Sequence, residues 1–311
     1  MKRSSIYRTA LKVVVLLFVA WFMGAAVVHD WGTIRDYEWR ISFWPFTASA
    51  VLFFGTYALL AWLWKRALAM FGHPIDYRAA WRMYFVGNLG RYIPGKIWTV
   101  AGMAYMGARH GIPATVSAAA AVFAQACLLL SSFVFFVLFL ILWHSRITGA
   151  WIAGVVVGVS LLVGVFMFPR NLERVMNALL KRLGREPVVF PFATGDVALL
   201  TAQYMVTWLL FGAAFWLFIH SIAAGSHVGY VYAASAYAVA YVTGFVAFFV
   251  PGGIGVREGI LGFLLGSVMP VGVALVVAMS SRLLVTGIEL LCVLLTLTGR
   301  GEIDGEKEAH T

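Results

Sequence analysis

The chain has 311 residues, of which 62% are hydrophobic and only 12% are charged, and its mean hydropathy is +0.89. A soluble domain carries roughly 25% charged residues, so this composition excludes a water-soluble globular protein. The apolar residues fall in long runs and do not alternate with polar ones, which excludes a transmembrane β-barrel. We therefore predict an all-α fold, a polytopic bundle of membrane helices.

Seven apolar runs are long enough to cross a bilayer, which takes about 20 residues. In chain order they are 11–29, 45–64, 114–143, 149–168, 197–219, 228–250 and 270–298. Two further segments, about 80–110 and 251–269, are interrupted by Pro and Gly and predict re-entrant hairpins or broken helices. If one of these two segments also crosses, the count is about eight spans, with both ends of the chain on the same side.

The sequence predicts one integral membrane domain over residues 1–311. Its first half is about 1–168, an amphipathic connector follows at about 169–196, the second half is about 197–298, and a polar tail occupies 299–311. A Pro-Gly element precedes a long apolar run in each half. This arrangement predicts an internal repeat, which is common in transporters.

The formal net charge of +10 is concentrated beside the apolar runs, at the N-terminus and in the segments 65–82 and 169–196. By the positive-inside rule these regions, including the N-terminus, are expected on the cytoplasmic side. The basic excess therefore indicates membrane topology and not a nucleic-acid partner. The amphipathic 169–196 segment is expected to lie on the membrane surface or to dock a partner protein.

Two motifs place Pro-Gly beside fixed charges within apolar sequence: Asn88–Lys96 (NLGRYIPGK) and Pro251–Gly259 (PGGIGVREG). Pro and Gly are expected to bend the backbone at six positions: Pro94, Gly95, Pro251, Gly252, Gly253 and Gly255. The polar residues assigned to a substrate site are Asn88, Arg91, Lys96, Arg257, Glu258, Arg282 and Glu289.

A charge at the centre of a bilayer costs at least ~2.5–3.5 kcal/mol, so isolated charges are disfavoured there. The adjacent Arg257 and Glu258 are one candidate pair, and Arg282 and Glu289 share a helix face two turns apart. Cations exceed anions in this set, so an anionic lipid head group would balance the charge. Buried ion pairs that hold the helices in register are the alternative interpretation.

The sequence gives no indication of catalysis. The histidines fall near the ends of the predicted spans, and no group of His, Asp or Glu has the spacing of a metal site. The glycines match neither the dinucleotide fingerprint nor the P-loop. We therefore expect no metal and no cofactor, and a transporter rather than an enzyme.

The second motif resembles the Pro-Gly-Gly-x-Gly-x-Arg-Glu signature of the lysylphosphatidylglycerol synthase transmembrane region, and the first is similar to the same family's first-half motif. The resemblance implies about eight spans and a role in lipid handling in a prokaryotic inner membrane. In full-length synthases this region looks like a flippase for an aminoacylated phospholipid. The cytosolic transferase of those synthases has no counterpart in this sequence.

Members of the family that stand alone are similar to translocases for phospholipids or polyprenyl-phosphate lipids, often acting beside glycosyltransferases. We therefore expect a membrane lipid translocase. Two alternatives stay open: a membrane-embedded enzyme that modifies lipids, and a non-catalytic membrane partner of a glycosyltransferase or lipid synthase. The sequence leaves the lipid and the oligomeric state open.

Overall fold

The structure is a computed structural model that describes residues 24–25, 28–93, 97–142, 167–182, 184–223, 225–247 and 250–297. These residues contain α-helices and short 3₁₀ turns, and no strand occurs among them. Nearly all of the predicted spans 11–29 and 149–168, and the polar tail 299–311, lie outside the described residues.

The described part of the chain forms ten α-helices. They are α1 Trp31–Asp36, α2 Phe43–Met70, α3 Tyr77–Asn88, α4 Ile97–Arg109, α5 Ala114–Leu142, α6 Pro169–Arg182, α7 Thr194–Ile222, α8 Tyr230–Val246, α9 Val256–Leu265 and α10 Val271–Leu295. The 3₁₀ turns are Leu89–Tyr92 and Pro251–Gly253. Four helices, α2, α5, α7 and α10, are long and apolar enough to cross a membrane. They confirm the predicted spans 45–64, 114–143, 197–219 and 270–298.

Helices α2 and α7 form the centre of the bundle and run antiparallel. Near one end of the pair, the Ser42 amide donates a hydrogen bond of 2.8 Å to the Ser221 carbonyl. Further along, the Ser49 hydroxyl donates to the Ala214 carbonyl at 2.7 Å. Residue numbers rise along α2 as they fall along α7, so the two helices start from opposite ends of the bundle.

Helices α3 and α4 form a hairpin whose turn contains the first motif. A Cβ atom added to Gly102 of α4 would lie 2.5 Å from the carbonyl oxygen of Gly87 on α3, so the two backbones are in direct contact. The helices have 12 and 13 residues. Each therefore rises about 18–20 Å, which is less than the ~30 Å of a hydrocarbon core.

Helices α8 and α9 form a second hairpin around the second motif. The Tyr232 hydroxyl, near the start of α8, donates to the Leu264 carbonyl near the end of α9 at 2.7 Å. At the other end of the hairpin, Gly244 lies against the Cβ of Arg257. The sequence treats 228–250 as a separate span. In the structure its helix ends at Val246 and α9 folds back along it.

The two halves contain the same order of elements: a long helix, a short helix, a 3₁₀ turn, a short helix and a long helix. The order is α2, α3, turn, α4 and α5 in the first half, and α7, α8, turn, α9 and α10 in the second. Because α2 and α7 are antiparallel, the second half is inverted relative to the first. The two hairpins therefore enter the bundle from opposite ends.

The predicted connector contains α6, which is amphipathic. Leu172, Met176 and Leu180 recur every four residues and are buried against the protein. The Asn177 side chain of α6 exchanges two hydrogen bonds with the backbone of Val188, beyond the helix, at 2.8 and 3.0 Å. These contacts hold the extended segment before α7 against α6.

Aromatic rings attach the connector to the first half of the chain. The ring of Phe190 lies 4.9 Å from that of Phe71 at the end of α2, and the ring of Phe192 lies 4.8 Å from that of Phe123 in α5. The connector therefore packs on the end of the bundle where α2 finishes and where α5 and α7 begin.

The two ends of the bundle differ in charge. The connector end also carries the end of α10, because the Trp81 indole N–H of α3 donates to the Cys292 carbonyl. Its described lysines and arginines are Lys65, Arg66, Arg78, Arg82, Arg109, Arg170, Arg174, Lys181, Arg182 and Arg185, and its described carboxylates are Asp76, Glu173, Glu186 and Asp196. The other end carries Asp30, Asp36 and Glu38 with Arg35 and Arg40.

Candidate functional site

A carboxylate from α10 is held by groups from α2 and from the tip of the first hairpin. Glu289 is 4% exposed. It accepts hydrogen bonds from the hydroxyls of Tyr57 and Tyr92, the second at 2.6 Å. Arg91 Nη1 lies 3.2 Å from Glu289 Oε1 and forms an ion pair with it. The charge of Glu289 is therefore compensated by one cation and two donors.

A second carboxylate lies at the start of α9. Glu258 is 6% exposed, and its Oε2 accepts a hydrogen bond from the Gly255 N–H, as in a helix capping box. Its Oε1 lies 3.3 Å from Arg282 Nε. No hydrogen-bond donor among the described residues is aligned with that oxygen, so the contact with Arg282 is ionic. Arg282 also donates from Nη2 to the Gly252 carbonyl at 3.2 Å.

Helix α10 thus connects the tips of both hairpins. Glu289 binds the first tip and Arg282 the second, and their separation of seven positions places both on one face of the helix. The sequence paired Arg257 with Glu258, whereas in the structure each carboxylate pairs with an arginine from a distant segment. Consecutive residues of a helix point about 100° apart, which is why Arg257 and Glu258 separate.

Arg257 has a different environment from Arg91 and Arg282. Its side chain is buried, at 8% exposure, and its guanidinium carbon lies 4.6 Å from the ring centre of Tyr237 and 5.5 Å from that of Tyr241. These distances are typical of cation–π contacts. Within the described residues, no carboxylate forms an ion pair with Arg257.

Glycines shape the tip of the second hairpin. Gly252, Gly253 and Gly255 have φ values of +58°, +68° and +83°, a region that residues with a Cβ rarely adopt. A Cβ on Gly253 would also lie 2.8 Å from the carbonyl oxygen of Gly244. The α9 helix begins at Val256, and the Glu258 carboxylate accepts a hydrogen bond from the Gly255 N–H at its N-terminus.

The remaining predicted site residues are less informative. The Asn88 side-chain amide donates to the Tyr84 carbonyl of its own helix at 2.8 Å, and no described contact joins it to the charged cluster. Pro251 opens the second 3₁₀ turn. Pro94, Gly95 and Lys96 lie outside the described residues, so their predicted roles stay predictions.

Sequence reasoning missed the tyrosines of the site. Tyr57 and Tyr92 bind Glu289, and Tyr237 and Tyr241 lie under Arg257. Tyr92 lies within the first motif, and Tyr237 and Tyr241 stand one helical turn apart, which are the signals that could have found them. No sequence signal distinguishes Tyr57 from other tyrosines of an apolar helix.

The cluster carries an excess of positive charge. Three guanidiniums, from Arg91, Arg257 and Arg282, surround two carboxylates, both nearly fully buried. Tyr57 and Arg282 stand near the middle of α2 and α10, so the cluster lies well inside the bundle. In this low-dielectric setting, the arrangement can hold an anion. Among the residues that the structure describes, no group of ligands could hold a metal ion.

The long apolar helices and the internal charged cluster define a multi-pass helical membrane protein with a polar site inside the bundle. Residues 9–296, nearly the whole chain, match the family described as lysylphosphatidylglycerol synthase TM region. The chain belongs to this family, as its two motifs indicate, and it is thereby related to membrane lipid synthesis or translocation. No curated protein matches the chain.

Proposed function

We propose that the protein is a lipid translocase, which moves a phospholipid or polyprenyl-phosphate lipid with an anionic head group between the leaflets. The main support is Arg257, a buried cation without a carboxylate partner among the described residues. A buried charge is costly unless it is paired. A phosphate group is a partner that the planar guanidinium fork suits.

The architecture supports a transport role. Inverted repeats with discontinuous helices are typical of transporters whose substrate site lies near the membrane midplane. Here two short-helix hairpins approach from opposite ends and meet at the charged cluster, where Tyr92 contacts Gly252. We infer that both hairpins are re-entrant and that the head group occupies the space between their tips.

Apolar side chains around the hairpin tips leave a route for lipid tails. Ile93, Ile97 and Trp98 flank the first tip and are 48%, 79% and 51% exposed, and Ile254 in the second tip is 47% exposed. Side chains of this kind are stable against lipid. The head group would therefore move through the charged interior while the tails remain in the bilayer.

The proposed orientation places the connector end in the cytoplasm. This end carries most of the described cations, and the positive-inside rule assigns such an end to the cytoplasmic face. With α1 at the opposite end, the predicted span 11–29 would start inside, in a prokaryotic inner membrane. A glycosyltransferase or lipid synthase that supplies the substrate would then meet the basic connector.

A translocation assay with reconstituted protein tests the proposal. Vesicles contain a fluorescent phosphatidylglycerol, and a reductant that cannot cross the bilayer quenches only the outer-leaflet dye. Active protein should expose nearly all of the dye to quenching, and Arg257→Ala should slow this exposure at least about tenfold, as expected when a charge-assisted hydrogen bond is lost.

Arg185→Gln is the matched control because it removes a cation from the exposed connector. Its rate should equal that of the unmodified protein. Equal rates for the Arg257→Ala variant and the control would contradict the proposal. The appearance of a chemically new lipid in the vesicles would instead favour the membrane-embedded enzyme.

A further inference from the structure

We propose that the connector contains a second lipid site, where an anionic phospholipid of the leaflet at that end binds with its phosphate on Arg170 and Arg174. Both arginines line a cavity of about 710 Å³ between the start of α6 and the start of α7, and this cavity shares no lining residue with the charged cluster. Ligand cavities typically measure about 300–1,000 Å³. The inference concerns binding and does not depend on lipid movement.

The wall of the cavity is held by the rest of the bundle. Phe190 and Phe192 line it. The Phe190 ring packs 4.9 Å from that of Phe71 of α2, and the Phe192 ring packs 4.8 Å from that of Phe123 of α5. The Glu173 carboxylate of α6 accepts a hydrogen bond of 3.2 Å from the Phe190 N–H. Because these contacts form the cavity in advance, a ligand would bind without first ordering its walls.

The charge of the cavity favours an anion. Arg170 and Arg174 are four positions apart in α6, so they lie on one face of the helix. Among the described residues, no carboxylate forms an ion pair with either arginine. Arg174 makes a long hydrogen bond of 3.4 Å to Asn171 Oδ1. Glu173 also lines the cavity, but its Oε2 already accepts the Phe190 N–H. Two guanidiniums that face one engaged carboxylate suit a phosphate group.

The position of the cavity suits a lipid better than a soluble ion. Thr194, the first residue of α7, lines the cavity, and α7 is long and apolar enough to cross a membrane. An exposed apolar stripe starts on α7 at Leu199, about 7.5 Å further along the helix, and continues through Val206 and Leu209. Phe168 also lines the cavity and is 52% exposed. The phosphate would occupy the cavity while the acyl chains lie along this stripe.

A lipid titration of the purified full-length protein tests the site. Because Arg170 and Arg174 are exposed, lipid bound there exchanges with detergent and has to be added. Phosphatidylglycerol is titrated while the thermal unfolding midpoint is followed, since a ligand of the folded state stabilises it by mass action. We expect the midpoint to rise, and to rise much less with phosphatidylcholine of the same acyl chains, whose head group has no net charge.

Two double variants separate the cavity from the basic surface around it. Arg170→Gln with Arg174→Gln should raise the phosphatidylglycerol concentration for half-maximal stabilisation at least about tenfold, as expected when charge-assisted hydrogen bonds are lost. Lys181→Gln with Arg185→Gln is the matched control, because both residues are exposed connector cations that do not line the cavity. This control should leave the concentration unchanged. Equal weakening by the two double variants would overturn the site.

The comparison is repeated in an Arg257→Ala background, where the charged cluster lacks its proposed phosphate partner. The difference between the two double variants should persist there, because the connector site does not involve Arg257. Loss of the difference in that background would show that the stabilisation comes from the charged cluster and would overturn the inference. Lipid movement is not measured, so the second site and the translocase proposal can fail separately.

Glycerol 3-phosphate distinguishes a lipid from a soluble phosphate ester, because it carries a phosphate group without acyl chains. Phosphatidylglycerol should stabilise the protein at far lower concentrations, and an excess of glycerol 3-phosphate should not displace it. Equal stabilisation by the two compounds would overturn the assignment to a lipid. Equal stabilisation by phosphatidylcholine and phosphatidylglycerol would overturn the role of the two arginines.

Discussion

The ring of Tyr92 lies against Gly252, and this contact joins the tips of the two hairpins. A Cβ on Gly252 would be 3.6 Å from Tyr92 Cδ1, an ordinary van der Waals distance. The hydroxyl of the same tyrosine donates to Glu289 at 2.6 Å. One residue therefore takes part both in the contact between the hairpins and in the buried network around α10.

The glycines of the second tip should differ in their tolerance of alanine. Gly252→Ala adds a strained left-handed backbone, about 1–2 kcal/mol, but its Cβ meets only ordinary contacts. Gly253→Ala adds similar strain and also overlaps the Gly244 carbonyl oxygen. Thermal unfolding in detergent should show a clearly lower midpoint for Gly253→Ala than for Gly252→Ala.

Gly259→Ala is the control for this comparison, because a Cβ there meets nothing within 4 Å and the residue is helical. Its midpoint should be unchanged or slightly raised. Similar losses at Gly252 and Gly253 would show that the close approach to Gly244 does not limit the second tip.

Removal of the Glu289 carboxylate should destabilise the protein strongly. Glu289→Ala leaves Arg91 without its carboxylate and two tyrosine hydroxyls without their acceptor, and breaking a buried pair typically costs about 3–5 kcal/mol. The Arg91→Ala, Glu289→Ala double variant should lose less than the sum of the single losses, as a double-mutant cycle in chemical denaturation would show.

The ion pair between Glu38 and Arg40 provides the comparison, since its side chains are 80% and 74% exposed. Exposed pairs contribute little to stability. The Glu38→Ala variant should therefore have the same free energy of unfolding as the unmodified protein. Additive losses at Arg91 and Glu289 would argue against a coupled buried pair.

Substitution of Arg257 should mainly reduce lipid binding, whereas substitution of Arg282 should mainly reduce stability. Arg282→Ala leaves the buried Glu258 carboxylate unpaired and frees the Gly252 carbonyl, so the free energy of unfolding should fall. Arg257→Ala leaves no described carboxylate unpaired, so its loss of stability should be smaller while lipid retention disappears. Unfolding midpoints and native mass spectra of both variants would measure the difference.

Glu258→Gln refines this test, because glutamine can still accept the Gly255 N–H in the capping position. The variant should fold and lose lipid movement, and its unfolding midpoint should be somewhat lower because Arg282 loses its carboxylate partner. If Arg257→Ala unfolds the protein as readily as Arg282→Ala does, Arg257 has a structural role instead.

The inverted arrangement predicts opposite labelling of two connecting segments. Glu186 lies in the connector, and His227 lies between α7 and α8 at the other end of the bundle; both are exposed. In a variant with Cys127 and Cys292 replaced by alanine, His227→Cys should react with an impermeant maleimide in intact cells. Glu186→Cys should react only after permeabilisation. Labelling of both from the same side would contradict the inversion.

Hydropathy was sufficient to predict the helical class and the four long helices, because a bilayer selects apolar runs of a given length. It did not predict the fold-back of 228–250 onto α9. That segment is as apolar as the long helices, and Gly244 near its end packs on the Arg257 stem. Such contacts depend on residues far along the chain and leave no local pattern.

The cost of burying charge was sufficient to predict that Arg91, Arg257, Glu258, Arg282 and Glu289 gather inside the bundle. Lys96, the sixth charged residue of the predicted site, lies outside the described residues. The pairing of Arg257 with Glu258 was wrong because neighbours in sequence point apart on a helix. The tyrosines were missed because the composition of an apolar helix does not show which tyrosine hydroxyl has a buried partner.

The antiparallel course of α2 and α7 has a consequence for the working cycle. A rotation of the molecule that exchanges its two ends brings each half onto the position of the other. A conformation open to one leaflet therefore implies a related conformation open to the opposite leaflet. Exchanging the conformations of the two halves yields the second shape. During lipid movement the protein would then alternate between two conformations related by an approximate two-fold rotation, and the arginine-rich centre would stay in place.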